Sequence, residues 1–419
     1  MPIPNPNDDG FLDLGSHDSF QAGMPHHTFA RMRDEDPMAW CDYDAGRGFW
    51  SVTRHADILT LNRDFKTLSS AQGIRLEDQT EEEYLARRTF QETDPPDHTR
   101  VRALLAKAFS KKSIAAFTPR IEEMVDNILT AAIQEQEFDA IAKIARELPM
   151  RMLGQIIGVP DDDLPFLVEK GDELIANADP EYTSHVIDQV DTDAYRMMPF
   201  RSPAGAELYD YAQALIERLR AQGQTDSVLH LITQPDARGH CMSDVEFRNF
   251  FCLLVAAGND TTRYSIAAGL YAITEWPELL NTIRIGDAIW ATAADEIIRF
   301  ASPTYHFRRT ALSDFEFHGK SIKAGDKVVL WFASGNRDDR AFENPTEVRL
   351  DRGENRHVAF GQGGPHVCLG MWLARLEVEL LFKALASRVA TLERIGPVEF
   401  LRSNFVGGIK RLPVRITTR

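Results

Sequence analysis

The amino-acid sequence predicts a mainly α fold with small β-sheets at its edges. Hydrophobic spacing is mostly helical from about residue 97 to 300, and a second amphipathic run follows at about 370–390. Strand-like runs flank these blocks at about 45–75, 305–335 and 390–419. No regular β-α-β alternation supports a doubly wound sheet. With 419 residues, 43% of them hydrophobic, the chain can bury a large core. No repeat, low-complexity tract or long linker divides it, so one domain over 1–419 is expected.

In chain order, GRGFWSVTRH near residue 50 reads as a strand leading into a helix. The segment 71–92 contains RLEDQTEEEYLARR and is polar enough that part of it should face water. SDVEFRNFFCLLVAAGNDTTRYSIAAGLYAITEWPE predicts a long helix, with Ser243 and Glu246 spaced as a capping box and Pro277 closing it or opening the next. Its first turns are apolar nearly all round, which predicts burial. Within it, Ala257-Gly258-Asn259-Asp260-Thr261-Thr262 breaks the helix rules. Glycine costs about 0.5–1 kcal/mol there relative to alanine, and Asp and Thr compete for backbone hydrogen bonds. Such a break marks either a site or a solvated kink with Asp260 exposed. FEFHGKSIKAGDKVVLWFAS, 315–334, alternates with Gly319 and Gly325 at turn positions and predicts antiparallel strands. LPVRITT near the end predicts another.

The formal net charge of −16 argues against nonspecific binding to nucleic acid or anionic lipid. Cys41, Cys241, Cys252 and Cys368 form no C-x-x-C pair and no disulfide framework, which suits a reducing cytoplasm. MPIPNPNDDG lacks a basic-plus-apolar signal, and apolar runs such as FFCLLVAAG fall short of the ~18 residues of a membrane span. The expectation is a cytoplasmic protein without a membrane span.

One cysteine stands in special surroundings. In HVAFGQGGPHVCLGMWLARLEVELLFKAL, Gly361, Gly363 and Gly364 precede Cys368, Gly370 follows, and an amphipathic helix comes next. Glycines let backbone approach a flat ligand closely. A helix N-terminus after the cysteine favours thiolate over thiol, as an iron ligand requires. An inert buried cysteine and a hydrolase nucleophile, with His366 as the near base, remain alternatives from this segment alone. Cys252, on the apolar part of the long helix, reads as core.

Four separated motifs in order resemble those of the cytochrome P-450 superfamily, over nearly the whole chain. FGQGGPHVCLG resembles the heme-binding loop, and AAGNDTT the oxygen-activating segment of the distal helix. Glu296-Ile297-Ile298-Arg299 resembles the E-x-x-R pair, and DPPDHTRVR, 94–102, a heme-contacting helix. The resemblance implies the cytochrome P-450 fold, with heme b between the long distal helix and the cysteine loop and Cys368 as axial thiolate. His98 and Arg102, four apart on one helix face, match the propionate-binding pair. Arg309 and His366 match further propionate contacts, Phe360 an aromatic shielding the thiolate, and Gly370 part of the loop. Glu296 and Arg299 would pair with Arg352 to hold that loop; the bland reading is a solvated i,i+3 salt bridge. Asp260 and Thr261 match the acid–alcohol pair that delivers protons to dioxygen, a carboxylate and a hydroxyl side by side in a dry pocket. Gly258 would leave room for dioxygen.

There are departures. The loop has one more residue between Phe360 and Cys368 than the commonest bacterial pattern, a form resembling branches acting on steroids, branched lipids and terpenoids, with which Asn259 is compatible. Val348 and Arg349 stand where Phe-Asp is usual, which puts local packing in doubt. By position, the pocket for a hydrophobic substrate would involve the 71–92 region, Leu254, Ala257, Pro303, Thr304, Tyr305, Phe405 and Val406. The implied activity is hydroxylation of an unactivated C–H bond in a terpenoid, steroid or alkyl compound. No flavin-binding or iron–sulfur motif is visible, so electrons would come from NAD(P)H through a reductase and a ferredoxin. Lys107, Lys111, Lys112 and Arg375 could steer that ferredoxin. A monomer is the default for this type. The alternative is a heme-thiolate binder or sensor without turnover.

Overall fold

A helix of 32 residues, Asp244–Glu275, is the longest among the described residues and organises the others. The computed structural model describes residues 12–43, 46–222 and 241–419, with Leu229, Ile232, Pro235 and Gly239 between. The polar segment 1–11 lies outside them. The capping box is present: the Ser243 side chain accepts from Glu246 N, and the Glu246 carboxylate accepts from Ser243 N at 2.9 Å. Pro277 caps the next helix, Glu278–Arg284. At about 1.5 Å per residue the long helix crosses the molecule. It packs on the helices Glu147–Ile157, Leu164–Ile175, Pro203–Gln222, Ala293–Ala301 and Met371–Arg388. Close approach is built in at Gly269, where a Cβ would stand 2.4 Å from the Phe382 ring. The helix runs unbroken through 257–262, and Asp260 is 0% exposed, so the solvated-kink reading fails.

The largest sheet has five strands, in the order Met38–Cys41, Phe49–Val52, Lys327–Leu330, Phe307–Ala311, Leu68–Ser69. Phe49–Val52 pairs in parallel with Lys327–Leu330, and the other pairings are antiparallel. The strand-into-helix reading near residue 50 holds, since the helix His55–Arg63 follows. Phe315–Phe317 and Lys320–Ile322 form a hairpin turning at Gly319, φ +70°. The end of that predicted strand run is different: Phe332–Gly335 is a short helix whose Gly335 fits against Ile58. The helical block is also interrupted. Glu137–Asp139 is a strand paired with Pro413–Thr418, which pairs in turn with Val389–Arg394. One apolar core runs from Ile74 to Ile416.

The helix Met371–Arg388 buries one carboxyl without a partner. Both oxygens of Glu377 lack a hydrogen bond among the described residues, and burial pushes its pKa up to about 8. An acid raised in the folded chain costs stability as pH climbs from its unfolded pKa to its folded one. Stability should therefore fall between about pH 4.5 and 8. Glu377→Gln should remove that slope and raise unfolding free energy at pH 8 by about 2–4 kcal/mol. Urea midpoints at pH 5 and 8 test this; equal slopes in both proteins would show that Glu377 finds a partner.

Candidate active site

Cys368 lines a cavity of about 250 Å³ that lies between the long helix and the glycine loop. The surface it exposes is cavity wall. Two glycines with φ +67° and +101°, Gly361 and Gly363, shape the loop. Gly364 lies against the helix His55–Arg63, where a Cβ would stand 2.3 Å from Asn62 O. Cys368 N donates to Phe360 O at 2.9 Å, fixing the cysteine independently of its side chain. Burial raises the thiol pKa. The amides of Gly370 and Met371, with Arg102 and Arg375, oppose that and favour thiolate. No hydrogen bond joins a base to the sulfur among the described residues, and both His366 ring nitrogens lack partners, which disfavours the nucleophile reading.

A cluster of basic side chains closes this end. The His98 and His366 ring centroids are 4.2 Å apart, and His98 Nε2 has no hydrogen-bond partner among the described residues. Burial first, then neighbouring positive charge, lowers His98 to about 4 and His366 to about 2, which leaves both imidazoles neutral at pH 7; burial lowers Arg309 to about 10 against the opposing pull of Asp94. Arg102 and His366 line the cavity, and His98 and Arg309 stand behind His366. Asp94, the carboxylate felt by His98 and Arg309, is engaged by Ser69 and Ser70. Buried donors without acceptors fit a ligand that brings carboxylates. Among the described residues no three His, Cys, Asp or Glu converge on a metal position. A single thiolate therefore suits a metal that arrives with its other ligands. The residues fit heme.

The opposite wall is the long helix. Leu254, Ala257, Gly258 and Thr261 line the cavity. Thr261 Oγ1 donates to Ala257 O at 2.9 Å, so it turns lone pairs toward the cavity. Asp260 does not stand beside it. Neighbours on a helix point about 100° apart, and Asp260 faces away, paired with Arg263. Arg263 also pairs with Asp172, which accepts from Arg146 Nε at 2.8 Å and Asn259 Nδ2 at 3.1 Å. Burial raises the Asp260 pKa, against the pull of Arg263. The dry-pocket pairing of acid and hydroxyl is thus corrected. Gly258 lines the cavity and also serves helix packing, since a Cβ there would stand 2.8 Å from Leu153.

Glu296 is no surface partner. It is 0% exposed and accepts from Arg299 Nε and Nη2, Arg352 Nε and Arg349 N, each at 2.8 Å. Arg299 Nη1 donates to Asn336 O at 2.7 Å and Pro345 O at 2.9 Å. Arg349 contributes its amide here, while its side chain turns out to Glu343 at 2.9 Å. An arginine therefore fits where the motif departs, and Val348 is buried.

Of the predicted pocket, Pro303, Thr304, Phe405 and Val406 line the cavity, but Tyr305 does not. Thr304 and Val406 form a β-bridge. Tyr305 points to the other side and stacks on Phe20 with centroids 5.6 Å apart. The polar 71–92 segment does not simply face water: Arg75, Glu77 and Arg87 line the cavity. Lys107, Lys111 and Lys112 are exposed. Arg375 is less free to steer a partner, since it donates to Asp295 at 2.7 Å and lies over Phe360 and Trp372. Sequence reasoning missed Asn62. Its amide donates to Gly361 O at 2.9 Å, and its Oδ1 accepts from Arg309 at 2.9 Å, tying the arginine to the cysteine loop. About 300 residues separate these partners, and no local pattern signals them.

Residues 292–388 match the family model described as Cytochrome P450. The chain is 33% identical over 429 residues to a steroid C26-monooxygenase of Mycolicibacterium smegmatis, covering 100% of this chain and 96% of that one. It is 31% identical over 411 residues to linalool 8-monooxygenase of Pseudomonas putida, covering 96% and 98%. A solved Mycobacterium marinum cytochrome P450 in complex with pseudoionone superposes with a TM-score of 0.87 at 30% identity, covering 99% and 100%.

Proposed function

The chain belongs to the cytochrome P450 family and is a monooxygenase, and from that premise we propose that it hydroxylates an unactivated C–H bond of a hydrophobic, steroid- or terpenoid-type substrate. The observation that carries this is a cavity walled by apolar side chains that ends on Cys368 beside the basic side chains His98, Arg102, Arg309 and His366. Family membership implies a heme-thiolate iron cofactor, which supplies the activation of dioxygen when bound. Heme b is the assigned form. Cys368 would hold the iron through its thiolate, His98, Arg102, Arg309 and His366 would hold the propionates, and Phe360 and Gly370 would contact the cofactor.

Leu254, Ala257, Phe405 and Val406 exclude water from the substrate's body and hold it by shape. Thr261 donates its hydroxyl hydrogen bond to Ala257 O, so its lone pairs accept a hydrogen bond from a protonated group in the cavity. Asp260 is assigned the proton supply. Rotation away from Arg263 would carry its carboxyl toward the cavity side of the helix. Electrons are assigned to NAD(P)H through a reductase and ferredoxin. Exposed Lys107, Lys111 and Lys112 support docking of an acidic partner.

NADH-driven turnover with a ferredoxin and reductase, over a panel of steroids and terpenoids, tests the reading. A product gaining one oxygen atom is expected. Heme-thiolate absorption with no product from any partner combination would favour the sensor alternative. Thr261→Ala should lower product per NADH by roughly tenfold and divert electrons to peroxide. Unchanged coupling would remove Thr261 from the mechanism.

A further inference from the structure

The cavity has a second group of basic side chains, set apart from the one around His366. Arg75, Arg87 and Arg201 all line it, and Arg102 is the cavity arginine that acts on the Cys368 thiol. The Arg75 guanidinium lies 4.8 Å from the Phe405 ring centroid and 5.2 Å from that of Phe200. Its Nε has no hydrogen-bond partner among the described residues, and Glu77 stands 3.9 Å away. Arg201 Nε also has no hydrogen-bond partner among the described residues. Glu83 is 3.9 Å from Arg201, and its close carboxylate, Asp193 at 2.9 Å, is 73% exposed on the outside. Arg87 donates to the neutral amide of Gln79 at 3.2 Å. Burial holds the Arg87 guanidinium below its usual range, opposed by Glu92 and Glu83 and reinforced by Arg201 and Arg75.

The backbone reinforces this placement. Phe200 and Arg201 have φ of +59° and +51°, a left-handed conformation that neither side chain favours. Such strain persists where the surroundings enforce it, commonly at ligand sites. Here it brings an aromatic wall and a guanidinium to the same cavity. The nearby acids balance these arginines in charge, but Glu77 and Glu83 stand 3.9 Å off and leave Arg75 Nε and Arg201 Nε without a hydrogen bond among the described residues. Glu83 and Glu92 close capping boxes with Thr80 and Thr89, and burial pushes Glu92 toward its neutral form. Glu77 faces Arg75, His17 and His306.

We infer that Arg75 and Arg201 anchor a carboxylate, so that the substrate is an amphiphilic acid whose apolar body reaches along Leu254 and Val406 toward Cys368. The inference rests on the monooxygenase reading of this cavity. A guanidinium fork receives both oxygens of a carboxylate and orients the chain behind it, which fixes the carbon presented for reaction.

Dodecanoate against methyl dodecanoate, and lithocholate against its methyl ester, are titrated into the heme-loaded protein. The Soret spin-state shift is the readout, with equilibrium dialysis for any ligand that gives no shift. In at least one pair the acid should bind about tenfold more tightly than the ester. The Arg75→Gln/Arg201→Gln double variant should lose that preference while keeping the red-shifted carbon-monoxide band. Equal binding of acid and ester in both pairs overturns the anchor. So does no acid binding at millimolar concentration, or a preference that survives the double variant. All three leave the monooxygenase reading standing if the band is present. A heme-loaded protein without that band overturns the reading, and the anchor with it.

Discussion

Cys368→Ser is expected to abolish the strongly red-shifted Soret band of the dithionite-reduced, carbon-monoxide-bound protein. Turnover should fall by more than about a hundredfold, because a hydroxyl does not push electron density onto iron as a thiolate does. The substitution is a clean probe here. Cys368 N donates to Phe360 O whatever the side chain, and Gly361, Gly363 and Gly364 set the loop's path. The variant should therefore fold and still take up heme, held by its basic contacts. Retention of the shifted band in the serine variant would sink the ligand assignment. Heme bound by the wild-type protein with only an unshifted band would mean that the thiolate is protonated or displaced.

Glu296→Ala should cost about 3–5 kcal/mol of stability, since it strands buried charges without a partner. Arg299 and Arg352 would lose their carboxylate, and the Arg349 amide its acceptor. An exposed i,i+3 pair would cost only a few tenths of a kcal/mol, so the urea midpoint separates the two cases sharply. The loss should extend to heme retention, because Arg299 also grips Asn336 O and Pro345 O in the chain leading to the cysteine loop. A change below about 1 kcal/mol would contradict the buried network.

Legibility in the sequence followed locality. The long helix announced itself through Ser243, Glu246 and Pro277, because caps and breakers act within one turn. The cysteine loop was readable for the same reason, its glycines lying within a few residues of Cys368. Side-chain direction was less accessible. Asp260 and Thr261 adjoin in sequence, yet the helix turns them to different faces, one toward Arg263 and one toward the cavity. Tyr305 lies between pocket residues and still packs on Phe20, because an extended chain alternates its side chains. Asn62 could not be read at all, since its role exists only once the helix His55–Arg63 meets the cysteine loop. The polarity of 71–92 predicted that part of it faces water, as Asp78, Glu81 and Glu82 do, but not which of its charged side chains, Arg75, Glu77, Arg87 and Glu92, line the interior cavity.

The crowding of His98, Arg102, Arg309 and His366 has a consequence for the protein's abundance. Two guanidiniums held out of water, beside neutral imidazoles whose buried nitrogens lack hydrogen-bond partners among the described residues, gain from any dianion that enters. The free energy of that gain is shared between affinity and folding: by mass action, stability rises with the logarithm of the free cofactor over its dissociation constant. A cell short of heme should therefore accumulate less of this chain. Supplementing the growth medium with a heme precursor should raise the yield of intact polypeptide as well as the fraction that is coloured.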